Sequence, residues 1–247
     1  MNLLAFDTST ETLSIAVQRG AHVLAHEAAG GAQASAALIP QALALLAQAQ
    51  LAVADLHAIA FGRGPGAFTG LRAACAVAQG LAWGAGVPVL PIDTLLAVAE
   101  NARQRHGARR VLAWLDARMG EVYAAPFIWQ PQDGAETGAG QWRALAAACV
   151  CPPEALALPA DDASQAEDWT LAGNAAEAHA HRLPAALAAL PRRPAQPAAT
   201  ALLTLAAPLL AAGHALPAEQ ALPLYIRDKV AQTTAERLAA RVAAGRH

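Results

Sequence analysis

Phe61 to Gly86 reads FGRGPGAFTGLRAACAVAQGLAWGAG. The stretch opens as the end of a buried strand, His57-Ala58-Ile59-Ala60-Phe61, and turns through Gly62, Gly64, Pro65 and Gly66. Three glycines in five residues allow positive φ and the close approach of another backbone or an anion. From Thr69, whose hydroxyl can accept a free N–H of a first turn, the sequence predicts a helix that Gly84 and Gly86 stop. Arg72 and Gln79, seven apart on one stripe, are its only strongly polar side chains. The rest reads Gly70, Ala73, Ala74, Val77, Ala78, Leu81, Ala82. A helix that is apolar nearly all round needs cover on more than one side. One side can lie on a sheet; the other needs a second helix layer or another protein.

Working outward, Asn2 to Phe6 is a short apolar strand ending at Asp7, and Thr8 to Glu11 is a polar turn. Leu13 to Gln18 alternates like a second strand, Arg19-Gly20 signals a hairpin, and His22 to Ala28 is a third strand. After Gly30-Gly31, Ser35 can cap a helix to about Gln50 with Leu38, Ile39, Leu43 and Leu46 on its apolar face. Pro40 in its second turn predicts a late start or a local kink. Val87 to Ile92 is the strand after the central helix, and Asp93 caps a further helix, Thr94 to Arg105. The order β-β-β-α-β-α-β-α gives an α/β class with a hairpin-fed mixed sheet and helices on its faces.

A composition shift follows near Gly107. Val111–Leu115 and Glu121–Phe127 read as strands, Trp129–Gln141 as a loop, and Thr170–Ala172 as a strand entering Gly173-Asn174. Ala175–Ala189 is a helix interrupted at Pro184, Pro191–Pro197 a proline-rich linker, and Thr200–Ala212 another helix. Pro223–Arg227 is a short closing strand before a polar C-terminal helix. No repeat is visible between residues.

Composition narrows the function. At 247 residues the chain has length for one large domain or two modest ones. Hydrophobic residues are 55% but aromatics only 4%, so small side chains, not a membrane segment, set the apolar character. The run Ala201–Leu216 carries Thr204, Pro208, Gly213 and His214, which argues against a spanning helix. The start has no basic region followed by an apolar run, so no export signal is expected. Cys75, Cys149 and Cys151 do not make a disulfide scaffold, and a reducing, cytoplasmic setting is expected. A net charge of −2 argues against strong unaided nucleic-acid binding. The cations are sixteen arginines and Lys229, and no G-K-[ST] occurs, which excludes a P-loop.

Asp7-Thr8-Ser9-Thr10, directly after the first strand, resembles the first phosphate loop of the actin/Hsp70/sugar-kinase superfamily, with Ser9 where a glycine is expected. The other reading is a turn in which Asp7 and Thr8 bond the local backbone. Gly64-Pro65-Gly66 before a helix start suits either an anion or a tight strand-to-helix connection. Asp116-Ala117-Arg118 with Glu121 offers a carboxylate pair for acid–base work, or a surface turn held by an Asp–Arg contact. His22 and His26 lie on a strand, about 13 Å apart at ~3.3 Å per residue, too far to share one ion. Cys149/Cys151 and His179/His181 each lack a matching second pair, and no metal is expected. Neither G-x-S-x-G nor H-E-x-x-H occurs. Arg103, Arg105, Arg109 and Arg110 suit RNA or the C-terminal end of a helix dipole.

Leu4 to Glu11, Gly62-Arg63-Gly64-Pro65-Gly66-Ala67-Phe68-Thr69-Gly70-Leu71-Arg72, Asp116 to Tyr123 and Pro223-Leu224-Tyr225-Ile226-Arg227 together resemble the bacterial TsaB (YeaZ) family, in the right order along most of the chain. The resemblance implies an ASKHA-type (actin/Hsp70/sugar-kinase-like) fold of two lobes, each a mixed sheet flanked by helices. The lobes would be 1–106 and 107–247, with helix 200–212 a candidate to pack back on the first. It also implies a non-catalytic subunit in making N6-threonylcarbamoyladenosine at position 37 of ANN-decoding tRNAs. Such a subunit pairs with TsaD, which carries the metal and transfers the group, and with the ATPase TsaE. It touches tRNA only through the complex and self-associates when alone. No cofactor is implied for the chain itself, with ATP confined to the complex and Asp7, Thr8 and Ser9 a degenerate nucleotide loop. The pairing would run through 35–50 and 69–83, with Leu38, Ile39, Leu43, Leu46, Phe68, Thr69, Arg72, Ala73, Ala76, Gln79 and Trp83 at the interface. Ala34 stands where family members often carry His. The rival is a phosphotransferase of the same superfamily, with Asp7 and Glu121 around Mg-ATP.

Overall fold

β1 (Asn2–Asp7) pairs antiparallel with β2 (Thr12–Arg19), and β2 with β3 (His22–Ala29), through a turn at Gly20. The computed structural model describes residues 1–31, 34–131, 140–159 and 168–227. After α1 (Ala34–Gln48), β4 (Ala58–Gly64) adds to β1 in parallel; after α2 (Phe68–Ala85), β5 (Val89–Asp93) adds to β4 in parallel. The first sheet runs β3-β2-β1-β4-β5.

α3 (Thr94–His106) leads into β6 (Arg110–Arg118), β7 (Glu121–Pro131), β8 (Gly140–Ala144), β9 (Cys149–Cys151), β10 (Trp169–Ala172) and the two-residue β11 (Arg192–Arg193). Their order is β11-β10-β6-β7-β8, with β9 also on β7. β7 and β8 continue antiparallel from β6, while β10 and β11 are parallel to it. Each sheet therefore has a central strand, β1 or β6, with two successive antiparallel pairings on one side and two successive parallel pairings on the other. The internal duplication that no residue repeat reveals is present in the topology.

Helices cover both faces of the first sheet, so β1 is buried from Leu3 to Asp7 without alternation. Leu4, Phe6, Ile15, Val17, Ile59 and Phe61 pack under α1 and α2. On the opposite face Ala5, Ala16, Ala58 and Ala60 keep the surface low, and Ala199, Leu202, Leu203 and Ala206 of α6 (Ala199–Ala211) settle on it. α3 joins the two halves: Val98, Ala99 and Ala102 pack on Val111, Ala113 and Leu115 of the second sheet. Trp114, Trp169 and Leu171 fill that sheet's far side. Each large apolar side chain buried in this way contributes about 1.5–3 kcal/mol.

Local chemistry departs from expectation at several ends. α1 begins at Ala34, so Ser35 sits inside its first turn and does not cap it; residues 32–33 lie outside the described chain. The helix starts early and accommodates Pro40, because Leu38, Ala42, Leu45 and Leu46 dock on the sheet. α2 begins at Phe68 with Ala67 at its N-cap, placing Thr69 in the first turn and exposed, and Gly86, at φ +70°, ends it rather than Gly84. Asp93 occupies the N-cap of α3, but its carboxylate accepts from Arg63 Nε at 2.5 Å instead of capping. Trp129–Pro131 and Gly140–Gln141 belong to the β7–β8 ladder, with Trp129 opposite Trp142; residues 132–139 are outside the described chain.

Ala175–Ala189 is not one helix but α4 (Ala176–His179), a 3₁₀ turn and α5 (Ala185–Ala188), split at Pro184. Within the proline-rich 191–197, Arg192–Arg193 form β11. Pro223–Arg227 is an extended segment rather than a strand; among the described residues one backbone bond, Leu224 N–H to Arg63 O at 2.7 Å, fixes it. The polar helix expected after it falls on 228–247, outside the described residues. No described helix is long and apolar enough to cross a membrane.

Candidate functional site

The loop after β1 and the glycine-rich turn before α2 close on each other. Asp7 is fully buried; the Ser9 N–H and hydroxyl donate to its Oδ1 at 2.7 and 2.6 Å, and the Thr94 hydroxyl to its Oδ2 at 3.3 Å. Gly62 lacks a Cβ where the Asp7 carboxyl lies, and any side chain there would overlap Oδ2. The Ala67 N–H at the start of α2 donates to Ser9 O at 2.8 Å. A helix N-terminus that was a candidate anion site thus faces the chain's own loop. Burial pushes the Asp7 carboxyl up to about 6, against the opposing bonds from Ser9 and Thr94. Of Asp7, Thr8 and Ser9, only Ser9 reaches the wall of the neighbouring cleft. Asp7 bonds its own turn through Ser9, while the Thr8 hydroxyl reaches across to Gly70 O at 2.7 Å.

That cleft, about 530 Å³, lies between the two sheets' loops, with Glu11, Asp116, Arg118, Asn174 and Arg227 on its walls. Glu11, Asp116, Arg118 and Arg227 are engaged in ion pairs. Arg118 bonds Glu11 across the cleft and reaches Asp116 Oδ2 at 3.1 Å, while Asn174 donates to Glu11 at 3.4 Å. Burial pushes the Asp116 carboxyl up, but His179, the Arg118 N–H and the Arg118 guanidinium together bring it below the usual carboxylate range. Glu121 is held by Arg227 at 2.6 Å. Asp7 under its loop and Glu121 against Arg227 therefore do not form an open acid pair. Among the described residues no three His, Cys, Asp or Glu side chains are placed to hold a metal ion. The part-buried contact of His179 Nε2 with Asp116 Oδ1, 3.1 Å, was illegible in sequence because the partners are 63 positions apart.

The outer sides of α1 and α2 divide the predicted interface residues into three groups. Leu38 and Leu46 are buried against the sheet and cannot meet a partner; the apolar face of α1 that contains them is its inner face. Ile39 (41% exposed), Leu43 (44%), Phe68 (41%) and Trp83 (70%) project outward. Thr69 and Ala76 are exposed, Ala73 is half-buried, and exposed Gly80, which the sequence did not single out, continues that low stripe of α2. The polar stripe is engaged by the chain itself. Gln79 donates to Ala221 O at 2.9 Å, and Arg72 donates to the Tyr225 hydroxyl at 3.1 Å while lying 3.8 Å from the Phe68 ring centroid. The half-buried Gln79 is therefore a tether for the C-terminal segment, not a free contact.

The family model "TsaD: tRNA N6-adenosine threonylcarbamoyltransferase" matches residues 25–235. The tRNA threonylcarbamoyladenosine biosynthesis protein TsaB of Escherichia coli K12 is 34% identical over 94% of this chain and 96% of its own. Its namesake in Haemophilus influenzae is 41% identical over 62% of this chain and 65% of its own. A solved structure, YeaZ from Pseudomonas aeruginosa, superposes with a TM-score of 0.79 at 40% identity, covering 91% of this chain and 99% of that one. Two mixed sheets in the same strand order, flanked by helices, make the fold ASKHA-like. With a match nearly end to end in both sequence and backbone, the chain belongs to the TsaB (YeaZ) family.

Proposed function

We propose that this protein is a non-catalytic scaffold in the formation of threonylcarbamoyladenosine on tRNA, docking a catalytic homologue of the TsaD type on the outer side of α1 and α2. The observation that carries the reading is the contrast between two neighbouring regions. The Asp7 loop is closed by its own hydrogen bonds, while Ile39, Leu43, Phe68 and Trp83 stand exposed beside the low stripe Ala73, Ala76 and Gly80. Exposed large apolar groups rimmed by small residues favour close approach of another helix pair. The relatives' names, which place TsaB proteins in tRNA threonylcarbamoyladenosine biosynthesis, support the pathway.

On this reading the same surface self-associates when no partner is present, TsaE joins through the complex, and tRNA and ATP are held by the assembly rather than by this chain alone. The setting is the cytoplasm. The test is reconstitution. Modified tRNA should form only when this chain is added to the TsaD-type partner with the ATPase and an activated threonylcarbamoyl donor. Calorimetry with Mg-ATP on this chain alone should show no micromolar binding. Binding with turnover by the isolated chain would support a phosphotransferase instead.

A further inference from the structure

We propose that Leu216 to Arg227 is a displaceable strap that covers one stripe of α2 and latches across the interlobe cleft through Arg227 and Glu121. The inference goes beyond the docking role and concerns the chain alone. The strap is anchored at its start, where Leu216 and Val89 exchange backbone bonds at 2.8 and 2.9 Å. It then crosses α2: the Ala221 carbonyl accepts from Cys75 Sγ at 3.3 Å and from Gln79 at 2.9 Å. Leu224 lies against Gly64 so closely that a Cβ there would meet its carbonyl oxygen at 2.6 Å. Tyr225 rests on Phe68, ring centroids 5.3 Å apart, and Arg227 ends on Glu121 at 2.6 Å in the second lobe.

The strap buries little of its own. Ala218 and Ala221 enter the first lobe's core and Leu216 packs against it, while Leu222 (68% exposed) and Tyr225 point out. A segment held by a few hydrogen bonds, two buried alanines and one part-buried ion pair, with Arg227 also on Met119 Sδ and over the Tyr123 ring, sits towards the low-stability end of local opening. Beneath it is a built-in reporter, the buried thiol of Cys75. Opening the latch uncovers that thiol and the Cys75–Gln79 stripe, and removes Leu224 to Arg227 from the cleft wall they line.

The experiment is maleimide labelling of the full-length protein under native conditions, read peptide by peptide by mass spectrometry, with exposed Cys149 as internal reference. In the wild type Cys75 reacts measurably but far more slowly than Cys149. Glu121→Gln and, separately, Tyr225→Ala accelerate Cys75 roughly fivefold each, as expected for removing one weak latch contact. The Cys149 rate and the urea midpoint stay unchanged. The proposal is overturned if Cys75 stays at its wild-type rate in both variants, or if its acceleration only tracks a fall in global stability.

Discussion

The Thr8 hydroxyl donates to the Gly70 carbonyl at 2.7 Å, and the Thr8 carbonyl in turn occupies the space where Gly70 would carry a side chain. This reciprocal contact welds the loop after β1 to the first turn of α2, and backbone opposes backbone. Gly70→Ala should therefore cost at least about 3 kcal/mol, since neither loop nor helix can yield without breaking the other's bonds. Thr8→Val, which keeps the shape but removes the hydroxyl that gives the Gly70 carbonyl a second donor beside its helix bond, should cost about 0.5–1.5 kcal/mol. Urea unfolding followed by circular dichroism distinguishes the two.

Asp7 gives a pH prediction. Its folded-state carboxyl titrates near 6 against an ordinary 3.8, so between those values the folded chain binds a proton that the unfolded chain does not. Stability contributed by this group falls as pH rises through that window and is greatest below it, a difference of about 3 kcal/mol between pH 3.8 and neutrality. Asp7→Asn keeps an acceptor for Ser9 and offers a donor to Thr94. It should raise stability at pH 7.5 by about 1–3 kcal/mol and flatten the slope between pH 4 and 6.5. As expected for a scaffold, that variant should still support tRNA modification by the partner.

The division of α1 into inner and outer faces separates stability from docking. Leu38→Ala, deep under the helix, should cost about 2–5 kcal/mol of stability. Ile39→Ser, one residue away and 41% exposed, should change stability by less than about 0.5 kcal/mol while weakening partner binding. Parallel melting and pull-down measurements with the purified partner give both readouts.

Sequence periodicity revealed the first lobe almost element by element, because β1, β4 and β5 are short apolar runs and β2 and β3 alternate on either side of the Arg19-Gly20 turn. It also singled out the α2 turn, where glycines are demanded by the Asp7 carboxyl and the Thr8 carbonyl. Which side of α1 faces inward was not legible. Leu38, Ile39, Leu43 and Leu46 wrap most of the helix, and alanine elsewhere gives no polar contrast. The strap was illegible for a different reason. Its bonds to Arg63, Cys75 and Gln79 join residues more than 140 positions apart and use backbone carbonyls and amides, which leave no pattern of side-chain types. The paired charges of Glu11, Arg118 and Asp116 likewise depend on two lobes meeting.

The central claim, that the outer stripe of α2 is the docking face, is tested most directly by titration calorimetry of Ala76→Arg and Ala73→Glu against the purified TsaD-type partner. Both variants should melt within a few degrees of the wild type and bind at least about tenfold more weakly, because a charge is forced into a face that closes on small residues. Wild-type affinity in both variants would place the partner elsewhere on the molecule and contradict the account.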